Sequence, residues 1–415
     1  MQQTIVKLNL LFLLTVASCS TVLAGLAIKD STHQTLSGII VDAHLEESIP
    51  MAHIVLPDQQ LASISNSDGR FLIKVPADYF PCTLHISSIG FESKTITVRQ
   101  AEDDLQIELK ACSYTLDEVL VQPLDILALI RSAIDMIPKN YSKKNSLYRA
   151  YYQETYKGNG EYLRLQDYIL DAYRTESSGN DSFQIVSLKR RSKVDTSLLS
   201  AKGESFHSFQ WGLTPYSIIE HNDDPTAAMN GVGFNDKRVR KMNFDYKLYE
   251  DEGREDYYVI EMNDRKRSKR KGSGILVIEK SSLAILSIQW EYAVSVPVFM
   301  RTFGVKSGKS GLTLIFNKGA DAGSLLYASQ SFDFGMGKVD YSATQSILVT
   351  EIENANVSLP DSSLHMARSK ENLSFGLSKD LDLSTLDTHK MDNDRIWDDY
   401  NIIPPNNRLK EFLNQ

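Results

Sequence analysis

Four short patterns in this chain have spacings that chemistry uses. His44-Leu45-Glu46-Glu47 places a histidine and a carboxylate three residues apart, as zinc hydrolases do for two of their ligands. A catalytic zinc takes three protein ligands and an open position. No third ligand can be assigned to His44, so the segment reads as a turn after a short strand. Gly304-Val305-Lys306-Ser307-Gly308-Lys309-Ser310 is similar to a phosphate-cradling loop. Its leading glycine sits one residue too close and no helical pattern follows, so it reads as a hairpin. Ser268-Lys269-Arg270-Lys271 has the Ser-x-x-Lys spacing of acyl-transfer serines, but a lysine in a charge run stays solvated and protonated. His221-Asn222-Asp223-Asp224 reads as a cation site or as polar turn chemistry. The expectation is a protein that is not an enzyme, with no catalytic, cofactor-binding or metal-binding residues and no cofactor.

Cations are the more informative group. Arg265, Lys266, Arg267, Lys269, Arg270 and Lys271 form one run. Lys237, Arg238, Arg240 and Lys241 form a second, and Lys189, Arg190, Arg191 and Lys193 a third. On a chain of formal net charge −8, such runs suit phosphorylated lipid headgroups or an acidic partner. The other reading is solvated loops between strands. The net acidity opposes nucleic-acid binding, which calls for a basic face.

The first residues define the compartment. Lys7, the apolar run Leu8 to Val16 and the small-residue site Val22-Leu23-Ala24 form a secretory signal over residues 1–24. Val16-Ala17-Ser18-Cys19 is a loose lipobox, so a lipid anchor at Cys19 is the alternative to plain cleavage. The chain is expected to be exported, to the periplasm or the outer membrane. Its partner is expected to be an envelope protein or a lipid. Past Cys19 only Cys82 and Cys112 remain. An even pair in an oxidising compartment reads as one disulfide, or as two small buried hydrophobes.

Residues 35–112 carry about seven short apolar segments divided by turn chemistry: Leu36–Val41, Met51–Leu56, Leu61–Ile64, Phe71–Val75, Thr83–Ser87, Lys94–Val98 and Leu105–Leu109. Asn66-Ser67-Asp68-Gly69 can supply the positive φ a tight hairpin needs. Strands at this spacing predict a seven-stranded antiparallel β-sandwich. The details resemble the carboxypeptidase-regulatory-like domain: Ser37-Gly38, Ile49-Pro50-Met51-Ala52, Ser67-Asp68-Gly69-Arg70-Phe71, Ser88-Ile89-Gly90-Phe91-Glu92, and then Thr115-Leu116-Asp117-Glu118-Val119-Leu120-Val121. That resemblance implies a sandwich of the transthyretin or regulatory type, in envelope proteins of Bacteroidota. It also covers the N-terminal extension of that phylum's TonB-dependent receptors. Too few residues follow here for a receptor barrel, so transport does not carry over, and the resemblance supplies no catalytic residues.

A helical linker is expected over 113–145. Leu124, Leu127, Ile130, Ile134 and Ile137 make one apolar stripe, ended by Pro138. Residues 146–358 return to aromatic-rich strands, as pleated half-buried surfaces favour. The meander through Tyr258, Gly274 and Trp290 is similar to the curved open sheet of lipoprotein-carrier proteins. Trp290, Tyr292 and Phe316 are candidates to line an apolar concavity. Long irregular stretches are expected at 189–256 and 359–395. The 359–415 tail holds Trp397-Asp398-Asp399-Tyr400-Asn401-Ile402-Ile403-Pro404-Pro405, which reads as an aromatic anchor. Two functions follow as expectations: a partner-binding or scaffold module using the sandwich, or a periplasmic lipid or lipoprotein carrier using the second domain.

Overall fold

The computed structural model describes residues 33–56, 61–112, 125–141, 144–175, 183–195, 215–231, 244–249, 256–264, 272–294, 301–302, 304–317, 323–353, 397 and 400–414. The signal segment, Cys19, residues 115–121 and 359–395 lie outside them.

The architecture is mainly β. Strands β1 (His33–Asp42), β4 (Arg70–Pro76) and β7 (Leu105–Leu109) form one layer of the N-terminal sandwich. The other layer is β3 (Leu61–Ile64), β2 (His53–Leu56), β5 (Cys82–Ser87) and β6 (Lys94–Val98). Alternate residues turn inward, and Leu36, Ile40, Ile54, Phe71, Ile73, Leu84, Ile86 and Ile107 make a dry core between the layers. One pair departs from the antiparallel expectation: β1 and β7 run parallel. They are the first and last strands, so no hairpin dictates their direction. Gly38 lets them approach, since a Cβ there would lie 2.1 Å from the Leu105 carbonyl oxygen. The Asn66 turn forms as expected. Gly69 takes φ +72°, and the Asn66 side-chain oxygen accepts from the Asp68 and Arg70 amides.

The second region is a ten-stranded open sheet, antiparallel throughout. Its strands are β8 (Ser146–Gly158), β9 (Glu161–Arg174), β10 (Phe183–Val194), β11 (Phe244–Tyr249), β12 (Tyr257–Asp264), β13 (Gly272–Glu279), β14 (Ile285–Val294), β15 (Val305–Asn317), β16 (Ser324–Met336) and β17 (Val339–Glu353). The order β10-β9-β8-β17-β16-β15-β14-β13-β12-β11 is two meanders joined where β8 pairs with β17.

One face of this sheet is apolar. The register row Ile260, Leu276, Ile288, Leu314, Ala328 and Ile347 runs across six strands. Three helices fill that face: α1 (Ile126–Asn140), α2 (Pro215–Asn222) and α3 (Pro225–Gly231). Their buried residues Ile130, Ala133, Ile137, Ile219 and Met229 share its core. Asp125 caps α1 by accepting from the Ala128 amide. At the other end Tyr141 Oη donates to the Ile285 carbonyl. Each large apolar side chain buried this way contributes ~1.5–3 kcal/mol.

Three further expectations change. α1 runs through Pro138 to Asn140, because packing on the sheet holds its last turn. Within the Gly304–Ser310 segment Gly304 is a turn residue with φ +81°, and Val305 onward is the start of β15, paired with β16, and not a loop. The 189–256 stretch is less irregular than expected, since β10 continues to Val194 and α2, α3 and β11 follow.

Candidate functional site

The sheet's other face brings the chain's distant parts together. Along one register row it carries Ile315, Tyr327, Leu348, Tyr151 and Ile169. An apolar row on an outer face needs a cover, and two segments supply it. The sandwich covers the first half, with Val55, Ala62 and Ile64 packed on Ile315, Tyr327 and Leu348. The C-terminal segment covers the second half, with Trp397 packed on Tyr151 and Ile169.

The next row outward is polar and holds the tightest electrostatics of this face. Asp167 on β9 is fully buried. Arg191 on β10 stands directly opposite it and donates through Nε, at 2.9 Å, and Nη2 to one carboxylate oxygen. Burial pushes the Asp167 carboxyl above its ordinary range, and Arg191 opposes that rise. The outer side of the guanidinium lies 4.9 Å from the Trp397 ring, a cation–π contact that ties the C-terminal segment to the ion pair. Tyr151 meets the same indole edge-on at 6.4 Å.

From Trp397 the segment crosses between the two β regions as a strap. Asn401 accepts from the Lys74 amide at 2.6 Å, and Asn66 Nδ2 donates to the Pro404 carbonyl at 2.9 Å. Asn406 Nδ2 donates to Ser67 Oγ. The strap then enters α4 (Asn407–Asn414). Asn406 caps this helix through the Leu409 amide, and Asp68 accepts from the Asn407 amide, which puts a carboxylate at the helix N-terminus, where the dipole favours it. Phe412 stacks on Tyr162, and Lys193 Nζ donates to the Leu413 carbonyl at the opposite end. The turn that marks the sandwich in the sequence is thus a docking point for the chain's own C-terminus.

The cations sort accordingly. In the third run, Arg191 faces Asp167, Lys193 closes α4 and Arg190 lies over the Tyr168 ring at 5.6 Å. Arg191 and Lys193 thus act as internal fasteners, while Arg190 remains exposed. Arg265, Lys266, Arg267, Ser268, Lys269, Arg270 and Lys271, between β12 and β13, and the run Lys237 to Lys241, before β11, lie outside the described residues. Cys82 on β5 and Cys112 beyond β7 are both buried and are not bonded to each other. Asp42 holds the turn at His44, accepting from the His44 and Leu45 amides, and those two bonds keep its carboxyl below the usual range. Asp223 pairs with Arg174 at 2.6 Å, and Asp224 accepts from the Thr226 amide at the start of α3. Among the described residues no group of three or more metal-ligating side chains converges. Trp290 and Phe316 are buried in the core between sheet and helices, with Tyr292 at its margin.

Beside the sandwich, the outer face of β12 to β16 forms a groove of about 380 Å³. Asn263, Gln289, Thr313, Ser329 and Ser331 line it with amides and hydroxyls, and Glu261 and Glu291 add carboxylates. Glu261 accepts from Tyr249 Oη and from Asn263 Nδ2, two hydrogen bonds that hold its carboxyl below the ordinary range. No sequence motif marks these residues, because they come from four strands and share only a register.

Fold and surface together define a sandwich module strapped to an open, helix-filled antiparallel sheet. Its N-terminal module is a CarboxypepD_reg-like domain, matched by that family's model over residues 36–121. No curated protein matches the chain. Three solved structures align with it at low identity. A lipovitellin structure concerned with lipid–protein interactions is 9% identical, covering 52% of this chain and 26% of its own, with TM-score 0.23. The chain thus spans about a quarter of that structure's length. A protein of unknown function from Bacteroides fragilis, described as membrane-associated, is 10% identical over 77% of this chain and 98% of its own, with TM-score 0.15. The MucA/MucB complex of Pseudomonas aeruginosa is 8% identical over 56% of this chain and 100% of the matched chain, with TM-score 0.15. Among the described residues no helix is long and apolar enough to cross a membrane.

Proposed function

We propose that this protein is a non-enzymatic, exported envelope module that binds another envelope polypeptide through its regulatory-like sandwich. The observation that carries this reading is how the sandwich is held. One layer is seated on the sheet and its β3–β4 turn is strapped by the C-terminus, which leaves β6 as the outer strand of that layer, with Thr95 and Thr97 exposed. An edge strand on a fixed support suits pairing with an extended segment of a partner. Photo-crosslinking from Thr95 and Thr97 in intact cells tests it. A discrete polypeptide adduct at both positions is expected. Adducts equal to those from an exposed position on the far sheet, such as Asp256, would sink the reading.

A second reading rests on a different observation. One face of the open sheet is apolar across six strands and, among the described residues, is covered by three helices and no further strand layer. A lipid carrier needs such a face, with the helices moving aside for an acyl chain. Native mass spectrometry of protein purified from its own envelope separates the two: a stoichiometric lipid adduct favours the carrier, a co-purified polypeptide the docking module.

A further inference from the structure

We propose that the outer groove across β12 to β16 is a binding site for a neutral glycan segment of one or two sugar residues. The groove is a product of strand register. Glu261 and Asn263 on β12, Ser273 on β13, Gln289 and Glu291 on β14, Gly311 and Thr313 on β15, and Ser329 and Ser331 on β16 all face the same way. Its depth comes from Gly311, where a Cβ would come within 2.6 Å of Ser331 Oγ. That glycine has no unusual backbone angle, so space is what it provides.

The lining selects the ligand. Its volume of about 380 Å³ lies in the lower part of the ~300–1,000 Å³ range of small-molecule sites. Among the described residues its polar groups are hydroxyls, amides and carboxylates, and the carboxylates of Glu261 and Glu291 repel phosphates and other anions. An acyl chain would strand these groups without hydrogen-bond partners, at ~1–3 kcal/mol each. Sugar hydroxyls both donate and accept, and they match amides and hydroxyls in kind. Glu261 is already engaged by Tyr249 and Asn263, and Lys247 stands opposite it on β11. Those partners lower the attraction for a free polycation and leave an orienting acceptor for a hydroxyl pair. The sandwich, two residues further along the same strands at Ile315 and Tyr327, bounds the groove at one end.

Saturation-transfer NMR on the full mature chain tests the site with four probes: maltose, diacetylchitobiose, spermidine and a sulfated heparin disaccharide. One or both neutral disaccharides should show transfer, with Kd on the order of 0.1–1 mM for so shallow a site. Gly311→Val should weaken that binding at least tenfold, and Ser329→Ala with Ser331→Ala several-fold. A Ser342→Ala control on the same face of β17 should leave it unchanged. Circular dichroism and the urea midpoint of each variant establish that the sheet is intact. Transfer to spermidine or heparin alone, no transfer to either sugar, or sugar binding indifferent to Gly311→Val in a folded variant would each overturn the proposal. None of these outcomes depends on crosslinking at β6.

Discussion

At the scale of single residues, the Asp167–Arg191 ion pair on the outer face is nearly dry, with Asp167 fully buried and Arg191 12% exposed. Both groups have left water, so removing one strands the other, which costs ~3–5 kcal/mol in buried pairs. Arg191→Met should therefore lower unfolding free energy by about that much in urea titration. The double change Asp167→Leu with Arg191→Met should recover most of it, because a matched apolar pair leaves no stranded charge. A loss in the double variant equal to that in the single one would contradict this account. His53 gives a second test. Burial lowers its imidazole to about 4, below its usual value near 6.5. The unfolded chain then binds a proton that the folded chain rejects between those values. Stability is full above about pH 6.5 and falls as pH drops toward 4, by up to ~3 kcal/mol from this group. His53→Gln should flatten that part of the stability–pH curve relative to the parent; an unchanged difference across the window would exclude it.

At the scale of elements, the strap decides how the two β regions hold together. Trp397 touches Tyr151, Ile169 and Arg191, and Asn401, Pro404, Asn406 and Asn407 bond to the sandwich. Trp397→Ala removes the aromatic anchor and should cost ~3 kcal/mol, as truncation of large buried aromatics does. Limited proteolysis should then cut near residues 397–407 faster than in the parent, with the sandwich and sheet cores still resistant. Equal cutting rates would mean the hydrogen bonds to Asn66 and Asp68 suffice. Much of the element pattern was legible beforehand. All seven sandwich strands coincide with apolar segments of the sequence, since period-two burial and Asn-x-x-Gly turns are local signals. α1 was legible as a stripe. α2, α3, α4 and β11 were not, because short elements owe their formation to packing more than to propensity. β15 begins as Val305-Lys306-Ser307-Gly308, a poor strand by composition that pairing with β16 on one side sustains.

At the scale of the whole molecule, the seat between sandwich and sheet is a small apolar interface, with Leu348 fully buried at its centre. Each region keeps its own core, so Leu348→Arg should separate them without unfolding either. Small-angle scattering should show a larger radius of gyration with far-ultraviolet dichroism unchanged. An unchanged radius would mean that the strap alone holds the regions together. What the sequence determined by itself is local: the strands of the sandwich, its turns, the regulatory-like signature and the stripe of α1, each written in residues a few positions apart. The tertiary structure alone decided the rest. Pairing of β8 with β17, the parallel meeting of β1 with β7, the Asp167–Arg191–Trp397 cluster and the groove at Gly311 join residues far apart in the chain. Such contacts depend on register, and register follows from which faces find cover, a balance taken over the whole chain and not over any window of it.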